Sequence, residues 1–235
     1  MTSKDVLVQL KERGSIATAG TLMKHGAKQP CYGVKIEDMK KLLKPLKGRQ
    51  DVAMELFSSG VFDAMYMAGL LADGAKMSRV ELDAWAQLNY GCSISSYTVP
   101  WVASESPLGF ELALEWIESK LEFVAVAGWS TLSCIVALTP DNKLDIKKIS
   151  QLLKRILIQL HKAPNKVRSA MNNFIIAAGS YVLPLTNEAI ETARKLGTVI
   201  IDMEGTACKV PSAEVYIKKV ADKGNLGKKR KTVKC

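Results

Sequence analysis

The stretch DIKKISQLLKRILIQLHK, residues 145–162, decides the fold. Ile149, Leu152, Leu153, Ile156, Leu157 and Leu160 follow one another at three- and four-residue steps. An α-helix turns once in 3.6 residues, so these six side chains form one apolar stripe. Lys147, Lys154 and Lys162 step along the opposite face, with Arg155 beside them. That basic ridge reads first as a solvated outer face. A half-buried strand would need alternation at every second residue, and no segment of the chain sustains it. Thr198 to Ile201 is β-prone, but four residues make no sheet alone.

The helical period spreads outward in both directions. It predicts helices over 3–12, 15–25, 35–47, 50–58, 61–73, 78–90, 94–105, 108–119, 122–138, 145–162, 165–182, 187–196 and 212–222. Ser78 followed by Glu81 reads as a capping box. Gly48, Gly60, Gly74 and Gly197 close helical runs, Pro107 and Pro164 suit first-turn positions, and Pro45 ends or kinks its segment. Helix pairs recur roughly every 35–45 residues, the spacing of stacked helical hairpins. A compact bundle is the other architecture of this kind. The expected fold is all-α: a right-handed α-α superhelix of HEAT-like helical hairpins. It forms one domain over 1–222, followed by a flexible basic tail over 223–235.

Charge is sorted by region. Residues 1–50 hold 11 Lys/Arg against 4 Asp/Glu, residues 51–140 hold 3 against 11, and residues 141–235 hold 19 against 8. The net charge is +10. A surface that gathers both basic ends attracts a polyanion, and nucleic acid gains most because neutralised phosphates release counterions. The tail carries Lys223, Lys228, Lys229, Arg230, Lys231 and Lys234, no acid, and two glycines. It reads as an arm that sweeps phosphates, or as a solubilising end.

Polar residues on the predicted helix 165–182 are the next candidates. Arg168 and Asn172 share a face with Lys166 near them, and Asn172 is followed by Asn173. Asparagine is a poor helix-interior residue, so the pair does polar work at a groove or forms a buried hydrogen-bonded pair. Trp85, Trp101, Trp116 and Trp129 all fall in the acidic middle. Trp85 and Trp116 sit on apolar stripes and belong to the core. Tyr90, Tyr97 and Trp101 suit either the core or stacking on bases. Asp63, Asp73, Glu111 and Glu115 have no supporting pattern and read as surface charges.

Several chemistries are excluded. Five widely spaced cysteines give no metal spacing and suit a reducing compartment, and two histidines make a His-based metal site or triad untenable. No phosphate-cradling Gly loop, GxSxG elbow or HExxH helix occurs. No apolar run spans a bilayer, and no secretory leader follows Met1. A cytoplasmic location is expected, with no cofactor, no metal and no membrane contact.

Three segments resemble the DNA alkylation repair family, the AlkD-like HEAT-repeat proteins. They are Tyr32-Gly33-Val34 leading into Asp38-Met39-Lys40-Lys41, Trp129 at the start of its helix, and Thr206 to Pro211 with the basic ending. The resemblance implies an α-solenoid whose basic inner face grips duplex DNA, and alkylpurine-DNA glycosylase chemistry. In that chemistry a carboxylate stabilises oxocarbenium charge as a cationic purine leaves. The family's glycosylases pair that Asp with a Trp, an Arg and a further Trp. Here the Asp would fall at 89–95, where none stands, the Arg at Leu132, and the later Trp near Asn173. No acidic residue occurs between Asp83 and Glu105.

The expected function is therefore a DNA-binding family member that holds duplex, damaged or branched DNA by its backbone, with weak or no glycosylase activity. Lys166, Arg168, Lys209, Lys228, Lys229, Arg230 and Lys231 are the expected phosphate contacts. Ser93, Ser133, Asn172 and Asn173 are expected to line the vacated centre. Two other functions fit the sequence: an active glycosylase using another acid such as Glu105, and a protein-binding HEAT scaffold.

Overall fold

The computed structural model describes residues 1–88, 91, 93–203, 205 and 209–235. Among the described residues there are thirteen α-helices and no strand. They are α1 (Ser3–Arg13), α2 (Ile16–Lys24), α3 (Ile36–Leu43), α4 (Gln50–Ser58), α5 (Phe62–Leu71), α6 (Arg79–Gln87), α7 (Val99–Ala103), α8 (Gly109–Trp116), α9 (Glu122–Leu138), α10 (Ile146–Gln159), α11 (Asn165–Tyr181), α12 (Thr186–Leu196) and α13 (Ala213–Asp222). Each predicted helix is present with its ends moved by a few residues. The largest change is before α7, where the backbone winds into a π turn over Ile94–Thr98. Prolines set other ends: Pro45 lies in a 3-10 turn after α3, and Pro164 is the N-cap of α11.

Local chemistry explains the boundaries. Ser78 accepts from the Glu81 amide at 3.3 Å while the Glu81 carboxylate accepts from the Ser78 amide at 2.8 Å. Both orphan donors at the start of α6 are thus satisfied, and these bonds hold the Glu81 carboxyl below its ordinary range. Thr2 and Asp5 do the same for α1. Asp145 caps α10 by accepting from the Lys148 amide at 2.9 Å. Ile149, Leu152, Leu153 and Ile156 are buried along α10, while Lys147 and Lys154 are exposed, as the apolar stripe requires.

The chain condenses into two compact units, Met1–Leu112 with Lys234–Cys235, and Ala113–Val233. Composition marks the tail as polar, whereas the units are set by packing. In the first unit α4 and α5 form a hairpin, and α5 also meets the π turn and α7. Phe57 of α4 stacks on Trp85 of α6 with ring centroids 3.7 Å apart. In the second unit α11 packs on α9, α12 and α13, while α10 packs on α12. Alternate helices therefore share a layer, as in stacked hairpins.

One buried polar side chain organises the first unit. The Asp63 side chain on α5 is fully buried and accepts from the backbone amides of Tyr32 at 2.6 Å, Val34 at 2.7 Å and, more weakly, Gly33 at 3.4 Å. This corrects the reading of Asp63 as a surface charge. Gly33 has φ +75, and a Cβ there would lie 2.3 Å from the Ser15 carbonyl oxygen, so no other residue fits. The Tyr32-Gly33-Val34 signature is thus a carboxylate cradle. Burial, and next the Asp63 charge, push the nearby Cys31 thiol up to about 11.

Asp63→Ala leaves these amides without their acceptor. A cost of about 3 kcal/mol or more is expected, lowering Tm by roughly 10 °C in a thermal unfolding scan. Asp63→Asn recovers little, because one acceptor becomes a donor facing an N–H. An unchanged Tm would contradict the cradle's role.

Candidate nucleic-acid interface

The positive charge is not shared equally. The second unit holds 19 Lys/Arg against 11 Asp/Glu, and the first 14 against 12. All the expected contacts except Ser93 lie in the second unit. Ser93 sits half-buried just before the π turn of the first unit, near the exposed ring of Tyr97. Tyr97 lies 6.0 Å from buried Trp101, centroid to centroid. Tyr90 and the residues Thr206, Ala207 and Cys208 of the third signature lie outside the described residues.

Helix α11 carries the densest polar set. Its neighbours demand apolar side chains, so Val167, Ala170, Met171, Phe174 and Ile175 are buried. Polar residues survive on it only where they are bonded or exposed. Asn165 holds the segment after α12 by a reciprocal pair, its Nδ2 donating to the Asp202 carbonyl and its Oδ1 accepting from the Asp202 amide, both at 2.8 Å. Arg168 donates through Nη1 to the Ile200 carbonyl at 2.6 Å and through Nη2 to the Ala163 carbonyl at 3.1 Å. Those acceptors are neutral dipoles, so the guanidinium keeps its full charge. Asn172 is 1% exposed and donates to the Pro211 carbonyl at 3.0 Å. Its side chain is therefore buried and bonded through Nδ2. Asn173, one residue on, is exposed. Lys166 is half-buried, and its backbone amide donates to Glu122 at 2.8 Å.

The basic tail lies against the second unit instead of projecting from it. The Gly227 amide donates to the Ser180 carbonyl at 2.9 Å and the Arg230 amide to the Ala137 carbonyl at 2.8 Å. Lys229 donates to the Val136 carbonyl at 2.9 Å and pairs with Asp141 at 2.8 Å, leaving its side chain 18% exposed. Its ammonium thus sits at the negative end of α9, where dipole and carboxylate both favour it. Lys229 is spent on this anchor, and Lys228, Arg230 and Lys231 remain exposed. Lys228 meets the Asn225 amide oxygen at 2.8 Å. Lys209 is exposed ahead of Pro211.

The centre suggested by the resemblance is filled with core. Trp129 is fully buried, packed edge-on against Phe174 at 5.4 Å, and Leu132 is 1% exposed. The Arg155 guanidinium lies 5.9 Å from the Trp129 ring and pairs with Glu118, holding that carboxyl below its usual range. Arg155 is therefore part of the packing. The Ser133 hydroxyl is half-buried and donates back to the Trp129 carbonyl at 2.9 Å. Glu105, the alternative acid, accepts from Lys234 at 2.8 Å and from the Gly74 amide at 3.3 Å in the first unit. Among the described residues no His, Cys, Asp and Glu cluster fits a metal ion.

Residues 4–202 match the sequence profile of the DNA alkylation repair enzyme family. The chain belongs to that family. It is 29% identical over 204 residues to an uncharacterized protein of Listeria innocua, covering 83% of this chain and 85% of that one. An uncharacterized protein of Listeria monocytogenes is 28% identical over 202 residues, covering 82% and 84%. A solved structure from a new family of proteins related to the HEAT-like repeat DNA glycosylases, with affinity for branched DNA structures, matches with a TM-score of 0.92. That match is 34% identical and covers 100% of both chains. The all-α, HEAT-like fold read from the sequence is therefore this protein's fold. No helix among the described residues is long and apolar enough to cross a membrane.

Sequence reasoning missed Asn165 and the pairing partner of Lys229. Asn165 directly follows Pro164, a local sign of a helix start, but Asp202 is 37 residues away. Asp141 directly follows Pro140, and its partner Lys229 stands far along the chain. If it is the tail's anchor, Asp141→Ala should accelerate hydrogen exchange of the Arg230 amide at least tenfold while leaving the α10 amides unchanged. Equal exchange in both proteins would show that the tail is held without it.

Proposed function

We propose that this protein is a DNA-binding member of its family that grips duplex or branched DNA by the phosphate backbone and has weak or no glycosylase activity. The observation that carries this reading is a set of cations in the second unit with no carboxylate against them. Lys209, Arg230 and Lys231 are exposed, and their side chains form no ion pair among the described residues. Lys228 meets only an amide oxygen, and Arg168 only carbonyls. Four other basic residues here are paired, Arg155 with Glu118, Lys195 with Glu191, and Arg194 and Lys218 with Glu214. Unneutralised cations are what a polyanion exploits. The solved relative's affinity for branched DNA supports the same ligand here.

The absence of an acid between Asp83 and Glu105 supports the second half of the reading. Without a carboxylate near the sugar, charge developing as the base leaves goes unmatched. Losing one electrostatic stabiliser of a transition state typically costs about 10²–10³ in rate. Burial of Trp129 and Leu132 supports it too, since neither side chain can reach a nucleotide. A cytoplasmic setting goes with the described cysteines Cys31, Cys134 and Cys235, which form no disulfide among the described residues.

A gel-shift titration over salt concentration tests the grip on a duplex and on a four-way junction. Affinity should fall steeply with salt, and the triple variant Lys209→Ala, Arg230→Ala, Lys231→Ala should reduce the log–log slope by about 3. Affinity indifferent to salt would overturn the reading. In a methylated-base release assay, neither 7-methylguanine nor 3-methyladenine should be released above background. Efficient release would restore the active-glycosylase alternative.

A further inference from the structure

A cavity of about 350 Å³ opens in the second unit where the end of α12 meets the start of α13. Its size falls within the range of small-molecule sites. The apolar side chains of Leu196, Val199, Val210 and Pro211 form part of its wall. Asn172 also lines it, from a position 1% exposed. The Asn172 Nδ2 is used by the Pro211 carbonyl, while its Oδ1 accepts nothing among the described residues. An amide oxygen without a partner at a cavity wall is free to accept from a ligand. Arg194 stands on the same wall, and its Nε is engaged by Glu214 at 2.9 Å. The two Nη groups of Arg194 have no described partner and remain available as donors. Lys218, then Arg194, hold the Glu214 carboxyl below its ordinary range, so the pair stays ionic at neutral pH.

An occupant of this cavity must be flat enough for apolar walls. Along one edge it must also set an N–H donor beside a nitrogen or oxygen acceptor. A nucleobase has that edge. We infer that the cavity lined by Asn172 and Arg194 receives a single unpaired nucleobase of bound DNA, its N–H meeting Asn172 Oδ1 and its acceptor meeting Arg194. The inference rests on the DNA-binding reading above and deepens it. Lys209, one residue before Val210, is exposed and suited to the phosphate of the same nucleotide. Ring burial and one or two buried hydrogen bonds correspond to about a tenfold gain in affinity.

The test uses the full chain and two labelled duplexes that differ only at one central bulged nucleotide, adenine in one and abasic in the other. Competition anisotropy should show the adenine bulge bound about tenfold more tightly than the abasic one. Thr198→Phe plugs the cavity from an exposed lining position, so the fold is kept. In that variant the two bulges should bind alike, with affinity for the unbroken duplex unchanged. Equal affinities in the unsubstituted protein, or a preference that survives Thr198→Phe, would overturn the inference while leaving DNA binding intact. Free adenosine seen by saturation-transfer NMR, without any bulge preference, would reassign the cavity to a soluble ligand. Loss of all DNA binding would remove the underlying reading and this inference together.

Discussion

Helix α11 is the constraint on which the second unit depends. It packs on α9, α12 and α13 at once, so nearly all of its circumference must be apolar. Any polar side chain it carries has to find a partner or sit on the remaining exposed strip. Asn165, Arg168 and Asn172 meet that demand by bonding to Asp202, Ile200 and Pro211, residues in the connection between α12 and α13. The core helix thereby fixes Ile200, Asp202 and Pro211, which lie outside regular elements. The cavity beside Asn172 and the exposure of Lys209 both follow from where those bonds hold the backbone.

The electrostatic layout follows from the same economy. Acids and bases that face each other across packed helices, such as Glu118 and Arg155, are consumed in local pairs, each modest because the partners are partly solvated. Lys229 is spent on the end of α9. What is left over is concentrated in the second unit, while the first comes close to balance. Which cations of a strongly basic chain are paired and which are left for a ligand cannot be read from net charge.

The fold was largely legible in the sequence. The apolar stripe of 145–162, the Ser78 to Glu81 box and the glycine stop at Gly197 are local signals, and local signals survive in one dimension. Asp63 was not legible. Its flanks, Phe62 and Ala64 to Met67, are apolar, and its partners stand about thirty residues upstream on backbone amides that no side-chain pattern announces. Asn172 and Asn173 were flagged as a pair, but one helical step of 100° separates a buried residue from an exposed one. The tail has the composition of a free arm, and only tertiary geometry reveals the carbonyls at the end of α9. The basic residues of the candidate site could be named from the sequence, but their surroundings could not.

The cradle around Asp63 has a chemical side effect on its neighbour. Cys31 is 8% exposed, and its thiol titrates near 11. At neutral pH on the order of one sulfur in ten thousand is ionised, against a few per cent for an ordinary cysteine. Electrophiles that methylate purines also attack thiolates. The packing that secures the first unit therefore leaves this sulfur a poor target for the very reagents that damage DNA.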